Sequence, residues 1–227
     1  MAVEDDLLND IRDVLGQIVI PTHTTQSDLS DLYELYVFSL VLDAAQEEGA
    51  QFYFRDVHGN DPKALVFRTG PGDIASRRHA YTHAVVEFPQ KPVLECHIGI
   101  YVQGQSEVAH ECDVAVLYQT EAETCRRNVG RGLLPRYSKV LLAAECKYYT
   151  TDIKLGLARG FLGLVADIPY NYGERHFVIN QSPQSVMKLL AKHKKKLAHD
   201  LVPTEAGEVT KLKASFRETF DRFKVRG

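Results

Sequence analysis

The chain has 227 residues, 44% of them hydrophobic, and carries 27 Lys and Arg against 30 Asp and Glu, a formal net charge of −3. That length suits one compact domain, and the charge balance excludes a global basic field, so any surface for nucleic acid must be local. No apolar run is long enough to span a bilayer, and Glu4, Asp5 and Asp6 are wrong for a signal peptide.

Four cysteines, Cys96, Cys112, Cys125 and Cys146, form no CxxC pair. They read as reduced core thiols of a cytoplasmic protein. A zinc site from Cys96, His97, His110 and Cys112 lacks the usual ligand spacing.

In chain order, Leu7, Leu8, Ile11, Val14 and Leu15 fall at helical spacing and predict a helix over 5–19. The stretch from Pro21 to Thr25 breaks it. A second helix is expected from Ser27 to Glu48, with Ser27 or Ser30 as N-cap. Its middle, Leu35–Leu42, is apolar on nearly every side, which predicts burial. Glu34 lies on the stripe that faces inward. It either reaches a polar site there or only favours the positive helix N-terminus, as Asp28 and Asp31 do. Strand-like segments follow at 51–57, 64–68, 81–88 and 93–102, with a Gly- and Pro-containing loop from Arg68 to Ile74. In the last of these strands Leu94, Cys96, Ile98, Ile100 and Val102 make an apolar face, and Glu95, His97, Gly99 and Tyr101 the other. Two more strands are expected at 110–117 and 140–148.

Residues 119–139, between these last two strands, read as a mobile loop. Arg126, Arg127 and Arg131 make it a candidate phosphate clamp, or simply a solvated basic loop. After Lys147 a helix is expected, capped by Thr150, Thr151 or Asp152. Its Gly156, Gly160 and Gly163 form a stripe that would permit close packing on the sheet. A strand at 175–180 and a helix over 183–199 come next. Lys192, Lys194, Lys195 and Lys196 make the latter the most basic surface of the chain, suited to phosphates or to water. Pro203 and Gly207 precede a final amphipathic helix at about 208–224, for packing on the domain or for a dimer contact.

The chemistry concentrates in the strands 110–117 and 140–148. The first contains Glu111 and Asp113, and the second ends Glu145-Cys146-Lys147. On a strand alternate residues share a face, so Glu111 and Asp113 group together, as do Glu145 and Lys147. Charges are almost never buried in a strand unless they are paired or hold a metal. Paired strands would bring two or three carboxylates and one ammonium to one patch. Magnesium, bound by one or two carboxylates and several waters, suits such a patch; two unrelated salt bridges are the plainer alternative. Glu95 on the neighbouring strand is a further ligand candidate.

An acid before an apolar strand, followed by Glu-x-Lys closing the next strand, resembles the PD-(D/E)xK nuclease superfamily, which includes restriction endonucleases, Mrr-like enzymes and Holliday junction resolvases. In that pattern Asp113 matches the metal-binding acid, Glu145 the second acid and Lys147 the catalytic lysine. Cys112 stands where the family name has proline. A glutamate on the first core helix often joins the site in this superfamily, a role that falls to Glu34. The resemblance implies a restriction-endonuclease-like α/β fold, a mixed central sheet flanked by helices, with a β insertion at about 51–90 and a core over about 27–200. It implies a hydrolase: a Mg²⁺- or Mn²⁺-dependent endonuclease acting on DNA rather than RNA, in prokaryotic antiviral defence or restriction, as a homodimer or with a partner protein. An inactive nucleic-acid-binding or assembly subunit is one rival expectation, and an enzyme acting on RNA or a nucleotide is the other.

Overall fold

The structure, a computed structural model, describes residues 3–16, 29–77, 81–169 and 174–226. It is α/β. Seven strands form one open mixed sheet in the order β1-β2-β3-β4-β5-β6-β7. They are β1 (Gln51–Asp56), β2 (Thr82–Glu87), β3 (Leu94–Gln103), β4 (Ala109–Tyr118), β5 (Val140–Lys147), β6 (Glu174–Ile179) and β7 (Lys196–Ala198). Pairing is antiparallel from β1 to β5 and parallel from β5 to β7. Among the described residues there are six α-helices: α1 (Val3–Leu15), α2 (Leu29–Glu47), α3 (Gln119–Arg127), α4 (Leu155–Asp167), α5 (Gln184–Lys192) and α6 (Ala206–Arg226). None is long and apolar enough to cross a membrane.

One face of the sheet is covered by α1, α2 and α6. Twelve of the nineteen α2 residues are buried, because α2 is covered on one side by the sheet and on the others by α1 and α6. This is why its sequence shows no polar stripe. The last helix is longer than its periodicity predicts. It buries Leu212, Phe216, Phe220 and Phe223, with Phe220 and Phe223 against Phe88, so this face is spent on the domain's own core. Across the sheet, Phe177 and Ile179 of β6 pack with Phe161 and Val165 of α4 and with Val186 and Leu190 of α5. Arg175 is buried beside them with no carboxylate partner among the described residues. Its guanidinium donates to the carbonyls of Ile168, Glu174, Tyr137 and Val140, tying β6 to the approach of β5. Burial lowers its pKa to about 10. All four cysteines are free and buried.

Several local expectations change. Residues 64–68 form no strand; Leu65 makes an isolated bridge position while Leu65 and Phe67 fill the core. Residues 119–139 are not a mobile loop. They form α3 and two 3₁₀ turns, closed by Arg136 on Glu121 through Nε and Nη2 at 2.9 and 2.8 Å. The signal was present: Glu121 in the first turn and Arg126 and Arg127 in the last suit the helix dipole, and Ala122 and Cys125 bury one face. The helix after Lys147 starts at Leu155 with Lys154 at its N-cap and no side-chain cap. Its glycine stripe faces solvent, with nothing within 4 Å of a Cβ at Gly156, Gly160 or Gly163. The expected helix over 183–199 splits into α5 and β7. Lys194 has φ +52, which a helix cannot continue through. The break at Pro21 and the cap at Ser27 lie outside the described residues; Ser30 is the second described residue of α2.

The most consequential departure is in the β3–β4 hairpin. Strict alternation would put Ile98 and Ile100 on one face. Ile98 instead belongs to the α2 side, while Ile100 and Val102 pack opposite, with Cys112, Ala115 and Leu117. The faces exchange between the pairs Ile98–Val114 and Ile100–Cys112, at Gly99 and Asp113. Gly99 has φ +58, and a Cβ there would meet the Gly70 carbonyl oxygen at 3.2 Å, so only glycine fits without strain. The Arg68–Ile74 loop braces the bend: Gly72 N donates to Gly99 O at 3.0 Å and Tyr101 N to Gly72 O at 3.2 Å.

Candidate active site

Asp113 sits where regular pairing fails on its other side too. The β4–β5 ladder runs from Leu117–Val140 to Val114–Ala144. Beyond it the Asp113 carboxylate replaces the missing backbone partner, and Cys146 N donates to its Oδ2 at 2.7 Å. The same oxygen accepts from Lys147 Nζ at 2.9 Å, and Lys147 Nζ also meets Glu145 Oε1 at 2.8 Å. Asp113 is 2% exposed. Its carboxylate therefore fixes the opening between two strands and presents charge there.

Glu34 comes from α2, on the sheet face that carries Cys146. By alternation Glu145 and Lys147 project from the other face of β5. Burial, then the charge of Asp113, push the Glu34 carboxyl up to about 9, against the opposing pull of Lys147. Burial and Asp113 also raise Glu145 and Glu111 above the usual carboxylate range. Burial works against the charged form of Lys147, but Asp113 and Glu145 outweigh it and hold the ammonium pKa above the ordinary lysine value. The site thus has four interacting carboxyl groups and a single ammonium.

That surplus of acid is the test of fit for a cation. Hard oxygen donors are the right set for Mg²⁺ or Mn²⁺, and after burial it is the Asp113 charge, opposed by Lys147, that raises the Glu34, Glu111 and Glu145 carboxyls. Among the described residues no three His, Cys, Asp or Glu side chains form a ready-made metal cage. Magnesium does not require one, since it is commonly held by one or two carboxylates with water and substrate oxygens completing its shell. Asp113 and Glu145 are the residues that would hold it.

Glu34 carries a pH signature. Between its unfolded value near 4.5 and its folded value of about 9 the native state holds a proton that the unfolded state has lost. Its contribution to stability is complete below the lower value and is lost as pH rises through the window. Glu34→Gln should therefore melt above the parent protein at pH 8–9, with the difference vanishing near pH 4.5. Thermal unfolding across pH measures this, and parallel melting curves would remove Glu34 from the charged cluster.

Glu95, expected as a further ligand, is not brought to the cluster. It lies opposite Leu117, four residues along β4 from Asp113, or roughly 13 Å at 3.3 Å per residue. It is fully buried and accepts from Arg126 Nη1 and Nη2 at 2.9 and 2.5 Å and from His97 Nε2 at 2.9 Å. Burial alone would raise its pKa; His97 and Arg126 bring it down to about 2. Arg126 is spent on this pair and is no clamp for a substrate at Asp113. Arg127 is exposed and pairs with Glu123 at 3.6 Å, and Arg131 is exposed; no contact of either with the cluster is seen among the described residues. His97 is a hydrogen-bonded core histidine, and His110 pairs with Asp167 at 2.6 Å.

The basic surface is divided. Lys192 closes α5, Lys194 and Lys195 lie in the turn, and Lys196 opens β7 and meets Glu218 at 3.6 Å. Lys196 is level with His176, which is level with Ala144. It therefore stands two strands, about 10 Å, from β5. Glu111 is the member of the cluster whose role sequence reasoning passed over. Its alternation with Asp113 marked it, but an exposed acid at a strand end carries no signal of its own.

These features define an α/β protein with a carboxylate–lysine cluster where two central strands part. Comparison with family models, with curated proteins and with solved structures finds no match.

Proposed function

We propose that this chain is a metal-dependent nuclease of the PD-(D/E)xK type that hydrolyses DNA phosphodiester bonds. The observation that carries the reading is the convergence of Asp113, Glu145 and Lys147, with Glu34 from α2, at the point where β4 and β5 separate. The element order supports it as well: α2, β3, β4, β5, α4 and β6 follow in the order of a restriction-endonuclease-like core, with the added strands β1 and β2 as the insertion. A role in prokaryotic defence follows from the resemblance, and a homodimer or partner protein would supply the sequence specificity.

A divalent ion held by Asp113 and Glu145 would activate water and stabilise the leaving oxygen. Asp113 fixes the strand opening through Cys146 N and orients the lysine. Lys147, protonated through the neutral range, acts as a cation and hydrogen-bond donor to developing negative charge rather than as a resting base. Glu34 stores a proton at neutral pH and surrenders it when positive charge arrives. Purified protein should cut plasmid DNA with Mg²⁺ or Mn²⁺ and not in excess chelator. Cleavage of RNA alone would move the reading to an RNA-directed enzyme, and full activity in chelator would defeat the metal-dependent mechanism.

Lys192 and Lys194 are exposed and show no ion pair among the described residues, so they are better placed to meet phosphates on this surface than Lys196. Replacing both by alanine should lower the log–log salt slope of duplex binding by about 0.9 for each phosphate no longer neutralised. Replacing Lys196 alone should change it less, because Glu218 already offsets that charge. Filter binding from low to moderate salt reads the slopes, and equal slopes would leave this surface to solvent.

A further inference from the structure

A second polar centre lies apart from the carboxylate–lysine cluster. Glu95, His97, His83 and Arg126 form a buried group beneath a cavity of about 520 Å³. His83 and His97 stack with ring centroids 4.8 Å apart and an interplanar angle of 14°. His97 Nε2 is spent on Glu95, and His83 Nε2 is 3.6 Å from the same carboxylate. His83 is 2% exposed, lines the cavity, and has an Nδ1 with no hydrogen-bond partner among the described residues. His97 Nδ1, fully buried beneath it, is likewise unpartnered among the described residues, so the histidine stack is the polar floor of the cavity.

The walls point to the chemistry of an occupant. Arg55, Arg77, Arg126 and Arg127 line the cavity against two carboxylates, Glu95 and Glu123. Glu95 is engaged by Arg126 and Glu123 by Arg127, and Arg77 is exposed with no partner among the described residues. Arg55 is held by Asp61, so the uncompensated positive charge of the walls, in a chain whose net charge is negative, is that of Arg77. At the rim the Arg55 guanidinium covers one face of the Tyr53 ring at 4.5 Å from its centroid, and a guanidinium plane stacked on an aromatic ring is itself a surface on which a base stacks. A metal is the wrong occupant, because Glu95 is already held in bidentate fashion by Arg126.

From this geometry we propose that the cavity between β1, β2, β3 and α3 binds a nucleoside monophosphate, its phosphate on Arg77 and, in exchange for the exposed Glu123, on Arg127, and its base on the stacked Arg55–Tyr53 pair. The volume falls within the range of small-ligand pockets, about 300–1,000 Å³. Arginine forks suit a terminal phosphate dianion, which they bind in two-pronged fashion. Burial drives the His83 pKa down to about 3, so the floor stays neutral and hydrogen-bonding through the physiological range. The assignment does not depend on the nuclease reading, since it uses none of Asp113, Glu145 or Lys147.

Calorimetric titration of the full chain with AMP, GMP, CMP and UMP, and separately with inorganic phosphate, tests it. Saturable binding of at least one nucleotide is expected. Arg77→Ala and Arg127→Ala should each weaken it about tenfold, which corresponds to roughly 1.4 kcal/mol for one charge-assisted hydrogen bond. Both side chains are exposed, so unchanged thermal unfolding of the variants confirms that the fold is intact. Asp113→Asn should bind the nucleotide as the parent does, whether or not DNA cleavage is found. No nucleotide binding, binding indifferent to both arginine changes, or phosphate binding as tightly as every nucleotide would overturn the proposal. Displacement of the nucleotide by a short single-stranded oligonucleotide, but not by a duplex, would overturn it as a small-molecule site and assign the cavity to a strand end.

Discussion

Asp113→Asn should leave a folded protein whose Mg²⁺-dependent DNA cleavage falls by about 10³-fold or more, the scale seen when one electrostatic element of a transition state is removed. The asparagine keeps an oxygen to accept from Cys146 N, which the aspartate does at 2.7 Å, so the opening between β4 and β5 should persist. What is lost is charge. Burial is the larger cause of the raised Glu34, Glu111 and Glu145 carboxyls and the charge of Asp113 the next in each case, so the variant should also lower those three carboxyls part of the way toward ordinary values. Carbon-detected NMR titration of the carboxyl groups reads this independently of cleavage. Parent-like cutting rates would remove Asp113 from catalysis, and unshifted carboxyls would remove it from the cluster.

Lys147→Met should reduce the cleavage rate by about 10²–10³-fold while leaving duplex affinity within a few-fold, because the ammonium acts on charge that develops only during the reaction. The methionine keeps much of the length and the apolar stem, and without Nζ it makes neither the 2.9 Å bond to Asp113 nor the 2.8 Å bond to Glu145. With their counter-ion gone the carboxylates should hold a divalent cation at least as firmly as before. A variant that loses rate through weakened Mg²⁺ binding, and recovers fully at higher Mg²⁺, would make Lys147 an organiser of the metal site. Lys147→Arg should not restore the rate, since the larger guanidinium spreads its charge over a plane and does not present the compact ammonium that meets Asp113 and Glu145.

The carboxylate–lysine cluster is legible in the sequence because its cost is legible. Acids and a lysine at the ends of apolar strands cannot be left uncompensated, and the order Asp113, Glu145, Lys147 places them within reach of each other once the strands pair. Glu34 is legible only as a polar residue on an inward stripe; its coupling to Asp113 needs α2 to lie across the sheet. Glu95 shows the limit of alternation. Its position on β3 and its neighbour His97 two residues on are plain from the pattern, but its other partners come from β2 and α3, and the α3 segment reads as loop from sequence. The basic residues of 183–199 read as one helix face because lysine favours helix over most alternatives, whereas the positive φ at Lys194 and the parallel pairing of β7 on β6 are tertiary choices.

Local pattern by itself determined the strands that carry the chemistry, the buried middle of α2 and the amphipathic face of α6. These depend on period, burial and charge, all of which are written along the chain. The tertiary structure alone decided where the faces exchange. Gly99 at φ +58, held against the Gly70 carbonyl, turns the β3–β4 hairpin. That turn takes Asp113 out of strict alternation and toward Cys146 N, while Glu95 is left with Arg126 on the other centre. A glycine in a strand announces a freedom. Which conformation it takes, and which of two acids reaches the lysine as a result, is set by the loop that packs against it.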